Sequence, residues 1–289
     1  MFLKNKISLV ECPRDAMQGW RHFIPTPQKI TYINSLLKCG FDTIDFGSFV
    51  SAKAIPQMAD TAAVLKGLDM SETNTKLLAI VANLRGAEEA AIFNEVSYIG
   101  FPFSVSTTFQ MRNTNSSMEQ SFETAQEIQN ICIKNKKKLV VYISMGFGNP
   151  YGDAYSETLV AEWVDKIAAL EVAIISMADT VGLATPLQVS SVLTTLIPAY
   201  PHITIGVHLH STPLNWKEKI DAALQAGCTR FDGALKGIGG CPMAGDDLVG
   251  NMDTELLIPY FTELNVLDGI DANALAVSSQ MAAKIFRAV

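Results

Sequence analysis

Several classes of protein are excluded by what the sequence has little of. Only 22 of the 289 residues are lysine or arginine, and the net charge of −7 argues against a nucleic-acid partner. The five cysteines show no paired spacing, which indicates reduced thiols in a cytoplasm rather than a disulfide framework. No apolar run reaches roughly 18 residues, and the amino terminus lacks the apolar core of a signal peptide. We therefore expect a cytoplasmic protein with no membrane partner.

Two nucleotide-binding signatures are also missing. No GxGxxG follows the first apolar segment, which disfavours a Rossmann fold, and the glycine-rich segment GIGG lacks the GK[ST] of a phosphate-binding loop. What the chain does have is 48% apolar and 18% charged residues, enough to bury a large core. Its length is a little above the roughly 250 residues of an eight-fold β/α barrel.

Short apolar segments alternate with longer segments of helical spacing. The predicted strands are residues 7–12, 43–46, 77–81, 97–100, 139–144, 173–176, 204–208 and 230–233. Helical spacing is clear at residues 27–39, 156–170, 186–197 and 216–226. Eight short continuous strands separated by helices predict a parallel α/β sheet closed into a (β/α)8 TIM barrel.

No linker or change of composition divides the chain. We therefore predict one domain over residues 1–289, with the barrel at about 5–265. Two last helical patterns, at residues 254–264 and 271–287, predict a closing helix and a C-terminal helical addition at about 266–289.

Polar residues follow several of the predicted strands, and in a TIM barrel these strand ends form the functional face. His208 and His210 close the seventh strand two residues apart, so both imidazoles point the same way and can bind one ion. Asp15 follows the first strand, and Asn251 follows the eighth. Two imidazoles with two oxygen donors suit Mg²⁺ or Mn²⁺ better than a closed zinc site. The alternative is that the histidines bind backbone or carboxylate groups.

Charged residues beside this set are further candidates. Arg14 adjoins Asp15 and has the charge needed to stabilise an enolate oxygen; the alternative is a structural ion pair. Asp45 and Asp179 follow the second and sixth strands and are candidate partners of Arg14. For these two aspartates, and for Asp179 in particular, capping of a helix is the competing interpretation.

Cys241 lies in the glycine-rich segment GIGGCPMAGDD, between the last strand and Asn251. Glycines give such a loop the freedom to close over a ligand, and a thiol on it can donate a proton to a carbanion. The alternative is an exposed, incidental cysteine. Cys12, Cys39, Cys132 and Cys228 are interpreted as small buried apolar residues.

At these residues the chain resembles the 3-hydroxy-3-methylglutaryl-CoA lyase family, within the wider pyruvate carboxyltransferase-like group of metal-dependent barrels. The resemblance covers nearly the whole chain and comprises PRDAMQ, SFVSAKAIPQMADTAAVLKGL, MADTVGLATP, VHLH, GIGGCP and GNMDTELL, in this order. It implies Asp15, His208, His210 and Asn251 as metal ligands and Arg14 as the group that stabilises an enolate. Asp45 and Asp179 would support the site, and Cys241 would be the proton donor.

The resemblance implies cleavage of a 3-hydroxyacyl-CoA, here 3-hydroxy-3-methylglutaryl-CoA, to acetyl-CoA and acetoacetate through a thioester enolate. His208 and Asp15 are both candidates for the base. The implied partner is a small acyl-CoA, and we expect a homo-oligomer, a dimer. Asp45 stands where the family commonly has Glu, and Ser211 where it has Asp. These departures keep a second hypothesis open: a related aldolase or Claisen-type acyltransferase acting on another hydroxy acid or acyl-CoA.

Overall fold

Eight parallel strands form a closed barrel in the order in which they occur along the chain. The protein is described by a computed structural model that covers residues 6–240 and 249–287. The strands are β1 (Ser8–Glu11), β2 (Thr43–Ser48), β3 (Lys76–Ile80), β4 (Val96–Ser104), β5 (Lys138–Ser144), β6 (Ile174–Ala178), β7 (Thr204–His208) and β8 (Arg230–Gly233). The predicted TIM barrel is confirmed, and each of the eight predicted strands is present.

Helices cover the outside of the barrel. They are α1 (Pro13–Gln18), α2 (Thr26–Leu36), α3 (Thr61–Lys66), α4 (Leu84–Ala91), α5 (Thr107–Thr114), α6 (Met118–Lys134), α7 (Glu157–Ala168), α8 (Pro186–Ala199), α9 (Trp216–Gln225), α10 (Thr254–Glu263) and α11 (Ala272–Ile285). Short 3₁₀ turns lie at Pro56–Met58 and Leu235–Gly237. Within the described ranges, no helix is both long enough and apolar enough to cross a membrane.

Alternation of side chains along the strands builds two cores. On β5, Val141 and Ile143 point outward into the main core under the helices, while Val140 and Tyr142 point into the barrel. This inward set forms a small separate cluster in which Leu78 and Ile174 also pack. The fold therefore has a large apolar layer outside the sheet and a narrower, mixed interior.

Strand β4 is longer than the sequence pattern predicts. It continues past Gly100 to Ser104, and its last residue pairs with Ser144 at the end of β5. Pro102 lies inside this extension. Proline is not expected in a central strand, because it lacks the backbone N–H that would donate to the neighbouring strand. The predicted strand therefore ends four residues before the observed one.

The side chain of Glu11 connects the end of β1 to the segments that follow β8 through two hydrogen bonds. Its Oε1 accepts a hydrogen bond from the Leu235 N–H (2.8 Å) and its Oε2 accepts one from the Thr254 hydroxyl (2.6 Å). Burial raises the pKa of this carboxyl to about 8, although both hydrogen bonds oppose the shift. The folded protein therefore holds Glu11 protonated at neutral pH, where the unfolded chain would ionise it.

Replacement of Glu11 by glutamine should make stability less dependent on pH. A raised folded-state pKa gives stability that is complete below about pH 4.5 and is lost as the pH rises through about 8. Within that window the parent should lose about 1.4 kcal/mol per pH unit through this group. In Glu11→Gln the amide oxygen can accept from the Leu235 N–H and the amide nitrogen can donate to the Thr254 hydroxyl oxygen, with no titrating proton. The difference in unfolding free energy between variant and parent should therefore grow in favour of the variant from pH 5 to 8. Urea denaturation at each pH measures this, and a constant difference contradicts the assignment.

Candidate active site

Helix α1 begins directly after β1 and places two charged residues at the mouth of the barrel. Pro13 occupies the first helical position, where its missing N–H costs no hydrogen bond. Arg14 and Asp15 follow in the first turn and are buried. Because parallel strands all end on this face, residues that follow β7 and β8 approach them.

Arg14 is held by two carboxylates. Its Nε donates to both oxygens of Asp45 (3.2 and 3.0 Å), its Nη2 donates to Asp45 Oδ2 (2.6 Å), and its Nη1 donates to Asp15 Oδ1 (3.0 Å). Burial favours loss of the proton, but the charges of Asp45 and Asp15 outweigh it, and the pKa of Arg14 rises. The guanidinium is therefore a fixed positive charge with its plane set by Asp45.

The Asp15 carboxylate accepts hydrogen bonds from four groups. Oδ1 accepts from Arg14 and from Gln18 Nε2 (2.6 Å), and Oδ2 accepts from the Gly240 N–H (3.2 Å) and from Asn251 Nδ2 (2.7 Å). Burial alone would raise its pKa, but Arg14 and the two histidines nearby lower it to about 2. Asp15 is therefore an anion at any physiological pH, as a metal ligand must be.

The segment before residue 241 passes directly over Asp15. Gly239 has a φ of +130°, and a Cβ at this position would lie 2.1 Å from Asn251 Nδ2 and 2.8 Å from Asp15 Oδ2. Any side chain here would collide with the site as well as strain the backbone. Glycine at position 239 thus allows the backbone to approach the buried carboxylate of Asp15 closely.

The two histidines at the end of β7, its last residue His208 and the nearby His210, both use Nδ1 for an internal contact. His208 Nδ1 lies 3.1 Å from Asp232 Oδ2, and His210 Nδ1 lies 2.8 Å from the carbonyl oxygen of Val249. A carbonyl accepts only from a protonated nitrogen, so His210 presents an Nε2 lone pair. Burial and the neighbouring His208 lower the pKa of His210 to about 4, which keeps it neutral.

Asp15, His208 and His210 form a group suited to a metal ion. One potential ligand atom from each residue lies within 4.8 Å of the others. The donor set is one carboxylate and two imidazoles whose Nδ1 atoms are already engaged, the usual arrangement of histidines that bind a metal through Nε2. The residues present therefore fit a divalent ion that accepts nitrogen and oxygen donors.

Asn251 lies at the same group but turns its amide nitrogen toward Asp15. Its Nδ2 also donates to the carbonyl oxygen of Ile238 (3.0 Å). To serve as a metal ligand, Asn251 would present its Oδ1 to the ion. The oxygen and nitrogen of an amide are assigned from their hydrogen bonds, and here the hydrogen bonds place Nδ2 toward Asp15. Residues 249–251 are held close by an antiparallel bridge between Asn251 and His210.

Asp179 does not contact Arg14. Its Oδ2 accepts from Lys219 Nζ (2.8 Å) and its Oδ1 accepts from the Ala184 N–H (2.9 Å). The same Lys219 ammonium donates to the carbonyl oxygen of His210 (2.8 Å). Of the two candidate partners of Arg14, the structure brings only Asp45 to it, because the side chain of Asp179 turns toward α9.

Three side chains that contact residues of the candidate site were not identified from the sequence. Asp232 precedes the end of β8 and resembles an ordinary strand residue, yet it points inward to His208. Lys219 lies in the middle of amphipathic α9, where a lysine is normally exposed. Gln18 was included in the motif PRDAMQ but had no assigned role; its spacing of three from Asp15 on a helix was the available signal.

Cys12 also approaches His208 and Asp232. Burial raises the pKa of this thiol well above its usual range, and nearby carboxylates raise it further. A protonated thiol is a poor metal ligand, so this second group is the weaker candidate. Cys12, Cys39, Cys132 and Cys228 are all buried, as predicted. Cys241 lies outside the described residues.

The pocket beside Arg14 and Asp15 has a polar and an apolar side. Its polar lining includes Gln18, Asn113, Ser144 and Thr180, together with the two histidines. Its apolar lining includes Val50, Ile55, Ile80, Pro102 and Phe109. Arg14 supplies the only cationic arginine or lysine among the described lining residues. The pocket therefore offers one fixed positive charge and a candidate metal site against an apolar wall.

Comparison with known proteins places this site in a family. The model of the HMGL-like family matches residues 6–281. A mitochondrial hydroxymethylglutaryl-CoA lyase of Rattus norvegicus is 33% identical over 276 residues, which is 94% of this chain and 83% of the relative. The chain belongs to the HMGL-like family.

Solved structures of HMGL-like proteins have the same barrel. The HMG-CoA lyase of Bacillus subtilis superposes with a TM-score of 0.91 at 30% identity, covering 98% of this chain and 95% of that one. An HMG-CoA lyase of Acinetobacter baumannii, in complex with coenzyme A and 3-methylmalate, gives a TM-score of 0.89 at 31% identity over 99% and 93% of the two chains. The resemblance stated from the motifs is confirmed, and this HMGL-like chain is an enzyme of the carbon–carbon lyase class.

Loss of the Lys219 ammonium should destabilise this HMGL-like barrel strongly. Lys219→Met keeps the aliphatic chain but leaves Asp179 as a buried charge without its cation, at an expected cost of about 3–5 kcal/mol. Lys217→Met, on the same helix, is the matched control. Its side chain is 55% exposed, and the expected change is below about 1 kcal/mol. Equal shifts of the urea midpoint in the two variants would show that the ion pair of Lys219 with Asp179 contributes no more to stability than an exposed lysine does.

Proposed function

We propose that the protein cleaves a 3-hydroxyacyl-CoA, 3-hydroxy-3-methylglutaryl-CoA, to acetyl-CoA and acetoacetate. The observation that carries the proposal is one pocket in which Arg14 lies beside the group of Asp15, His208 and His210. A carboxylate and two imidazoles next to a fixed cation match a reaction that builds negative charge on a substrate oxygen. Relatives named for this activity support the same substrate.

The residues that would hold a divalent ion are Asp15, His208 and His210, with Asn251 as a fourth. Oxygen and imidazole donors with positions left for substrate suit Mg²⁺ or Mn²⁺. When bound, such an ion supplies Lewis-acid polarisation of substrate oxygens. Asp232 and the carbonyl of Val249 hold the two imidazoles so that Nε2 of each is available.

Arg14 is the residue that we assign to stabilisation of the enolate. Cleavage begins when a base removes the 3-hydroxyl proton. The candidates from the sequence are His208 and Asp15, and a pKa of about 2 makes Asp15 the weaker base of the two. The C–C bond then breaks, its electron pair passes to the thioester as an enolate, and the other fragment leaves with a new carbonyl group. Arg14 keeps its charge throughout and cannot reorient, because Asp45 binds it through three contacts. A preorganised cation of this kind lowers the barrier without reorganisation.

Cys241 is proposed as the acid that completes the reaction. Its thiol proton passes to the enolate carbon and gives acetyl-CoA, and the thiolate regains a proton from the base or from solvent. Gly239 and Gly240, which precede it, already contact the site around Asp15. The role of Cys241 remains a prediction from the sequence, as do Asp179 as a support of the site, the single-domain boundaries, the cytoplasmic location and the dimer.

The apolar wall of the pocket is proposed to pack against the carbon chain of the acyl group. Val50, Ile80 and Phe109 lie on it. It is also compatible with the second hypothesis, a related aldolase or Claisen-type acyltransferase acting on another hydroxy acid or acyl-CoA, because apolar contacts discriminate weakly between chains that differ by one methylene. Turnover with Mn²⁺ of a panel of 3-hydroxyacyl-CoAs and 2-hydroxy acids separates the two. Absence of any reaction of the acyl-CoAs and of the 2-hydroxy acids, followed as loss of substrate, overturns both.

Removal of one imidazole should abolish tight metal binding. His210→Ala deletes a ligand whose ring is fixed by Val249, and Mn²⁺ affinity should fall by about 100-fold or more. Titration of Mn²⁺ followed by electron paramagnetic resonance measures this directly. His202→Ala is the control, since His202 is exposed on the surface. Parental affinity in His210→Ala would remove this residue from the metal site.

Arg14→Gln should act on the transition state rather than on binding. Loss of a preorganised cation at a developing oxyanion costs about two to three orders of magnitude in kcat with little change in KM. Steady-state kinetics with 3-hydroxy-3-methylglutaryl-CoA provides both constants. Arg85→Gln, at an exposed arginine of α4, should match the parent. A raised KM with unchanged kcat would instead make Arg14 a substrate anchor.

A further inference from the structure

Five buried polar atoms inside the barrel have no hydrogen-bond partner among the described residues. They are Tyr142 Oη, Ser176 Oγ, Arg230 Nε, Arg230 Nη2 and Asp232 Oδ1. Tyr142 and Ser176 are paired in register on β5 and β6, and Arg230 and Asp232 are two residues apart on β8. Buried polar atoms are normally satisfied by protein or by ordered water.

Arg230 is the most demanding member of this set. Its side chain is 2% exposed, and its one ion-pair partner is Asp42, whose Oδ1 lies 3.8 Å from Nη1, too far for a hydrogen bond. Its guanidinium interacts electrostatically with Asp232 and Tyr142. A buried charge with open donors is costly unless something hydrates it.

Two glycines make the room that these side chains occupy. A Cβ at Gly206 would lie 3.1 Å from three carbons of the Arg230 side chain, and one at Gly100 would lie 3.2 Å from Tyr142 Cε2. TIM-barrel interiors are usually filled by branched apolar residues. Here the layer beneath the candidate metal site combines two glycines, a serine and long polar side chains with the apolar Leu78, Val140 and Ile174, so it is mixed rather than wholly apolar.

Asp232 connects this layer to the site. Its Oδ2 contacts His208 Nδ1 at 3.1 Å, while Oδ1 is one of the atoms without a partner. Arg230 lies two residues earlier on the same face of the strand, and among the described residues no hydrogen bond joins it to that oxygen. A carboxylate held at only one oxygen can swing about that contact, and the imidazole would swing with it.

We propose that ordered water molecules fill this layer and bridge Arg230 to Asp232 Oδ1, Tyr142 Oη and Ser176 Oγ. Water fits better than an anion because the charge of Arg230 is already opposed by Asp232 and Asp42. The bridged Arg230 fixes Asp232, and Asp232 fixes the ring of His208. Arg230 is thus a positioning residue for metal binding, an inference that rests on the proposed metal site.

The first test is a high-resolution crystal structure of the full chain. Ordered water is expected within hydrogen-bond distance of Arg230 Nε or Nη2 and of Asp232 Oδ1. A dry interior overturns the proposal, and so does a direct bond between Arg230 and Asp232. This test is independent of whether the protein binds a metal or turns over an acyl-CoA.

The second test is a double-mutant cycle read as Mn²⁺ affinity. Asp232→Asn should weaken binding about 10- to 100-fold, as for other partners of metal-binding histidines, and Arg230→Met about tenfold. Because Arg230 acts through Asp232, the double variant should bind no more weakly than Asp232→Asn alone. Arg230→Lys should recover most of the affinity, since an ammonium can hold the same water. Tyr98→Phe is the control: it keeps the ring near Arg230 and removes only a hydroxyl.

The outcomes separate this inference from the proposed function. The positioning role of Arg230 is overturned if Arg230→Met binds Mn²⁺ as tightly as the parent. It is also overturned if the losses of Mn²⁺ affinity in Arg230→Met and Asp232→Asn add in the double variant, because Arg230 would then not act through Asp232. If Arg230→Met fails to fold by circular dichroism, Arg230→Gln provides the same cycle with a donor but no charge. If the parent itself does not bind Mn²⁺, the metal site is wrong, the positioning role falls with it, and the crystal structure alone decides the hydrated layer.

Discussion

The pairing of β1 with β8 is the constraint on which the rest of the structure depends. It closes the sheet, and by closing it brings the residues after the first strand against those after the seventh and eighth. Asp15 meets His208, His210 and Asn251 only for this reason. Glu11 adds a side-chain connection across the same seam, from the last residue of β1 to Leu235 and Thr254.

Compensation of buried charge is the second theme. Arg14 with Asp45 and Asp15, and Lys219 with Asp179, are pairs in which each charge is shielded from water by apolar surroundings. Each of these ion pairs fixes the orientation of its side chains more than it stabilises the fold, because the cost of removing the charges from water offsets most of their attraction. Arg14 is therefore a buried cation whose charge and orientation are set by Asp45 and Asp15, which is what a preorganised catalytic pocket needs.

Much of this could be predicted from the sequence, for specific physical reasons. Strand ends on a parallel barrel share one face, so the positions of Asp15 and of the two histidines followed from counting strands. Asp179 was harder, because its partner Lys219 lies on a helix whose buried side is fixed only by tertiary packing. Asp232 and Arg230 were not identified because alternation along a four-residue strand does not show which face is polar. The amide orientation of Asn251 depends on a hydrogen-bond network that no local pattern contains.

The distance along the chain between the site's components has a consequence for how the protein is made. Asp15 and Asn251 are 236 residues apart in sequence yet are hydrogen-bonded. A ribosome-bound chain therefore lacks a complete site until residue 251 has been synthesised, and barrel closure is a late, non-local step of the kind that slows folding. A chain truncated before residue 251 would lose Asn251 and the contact it makes with Asp15, so every shorter amino-terminal fragment has an incomplete site.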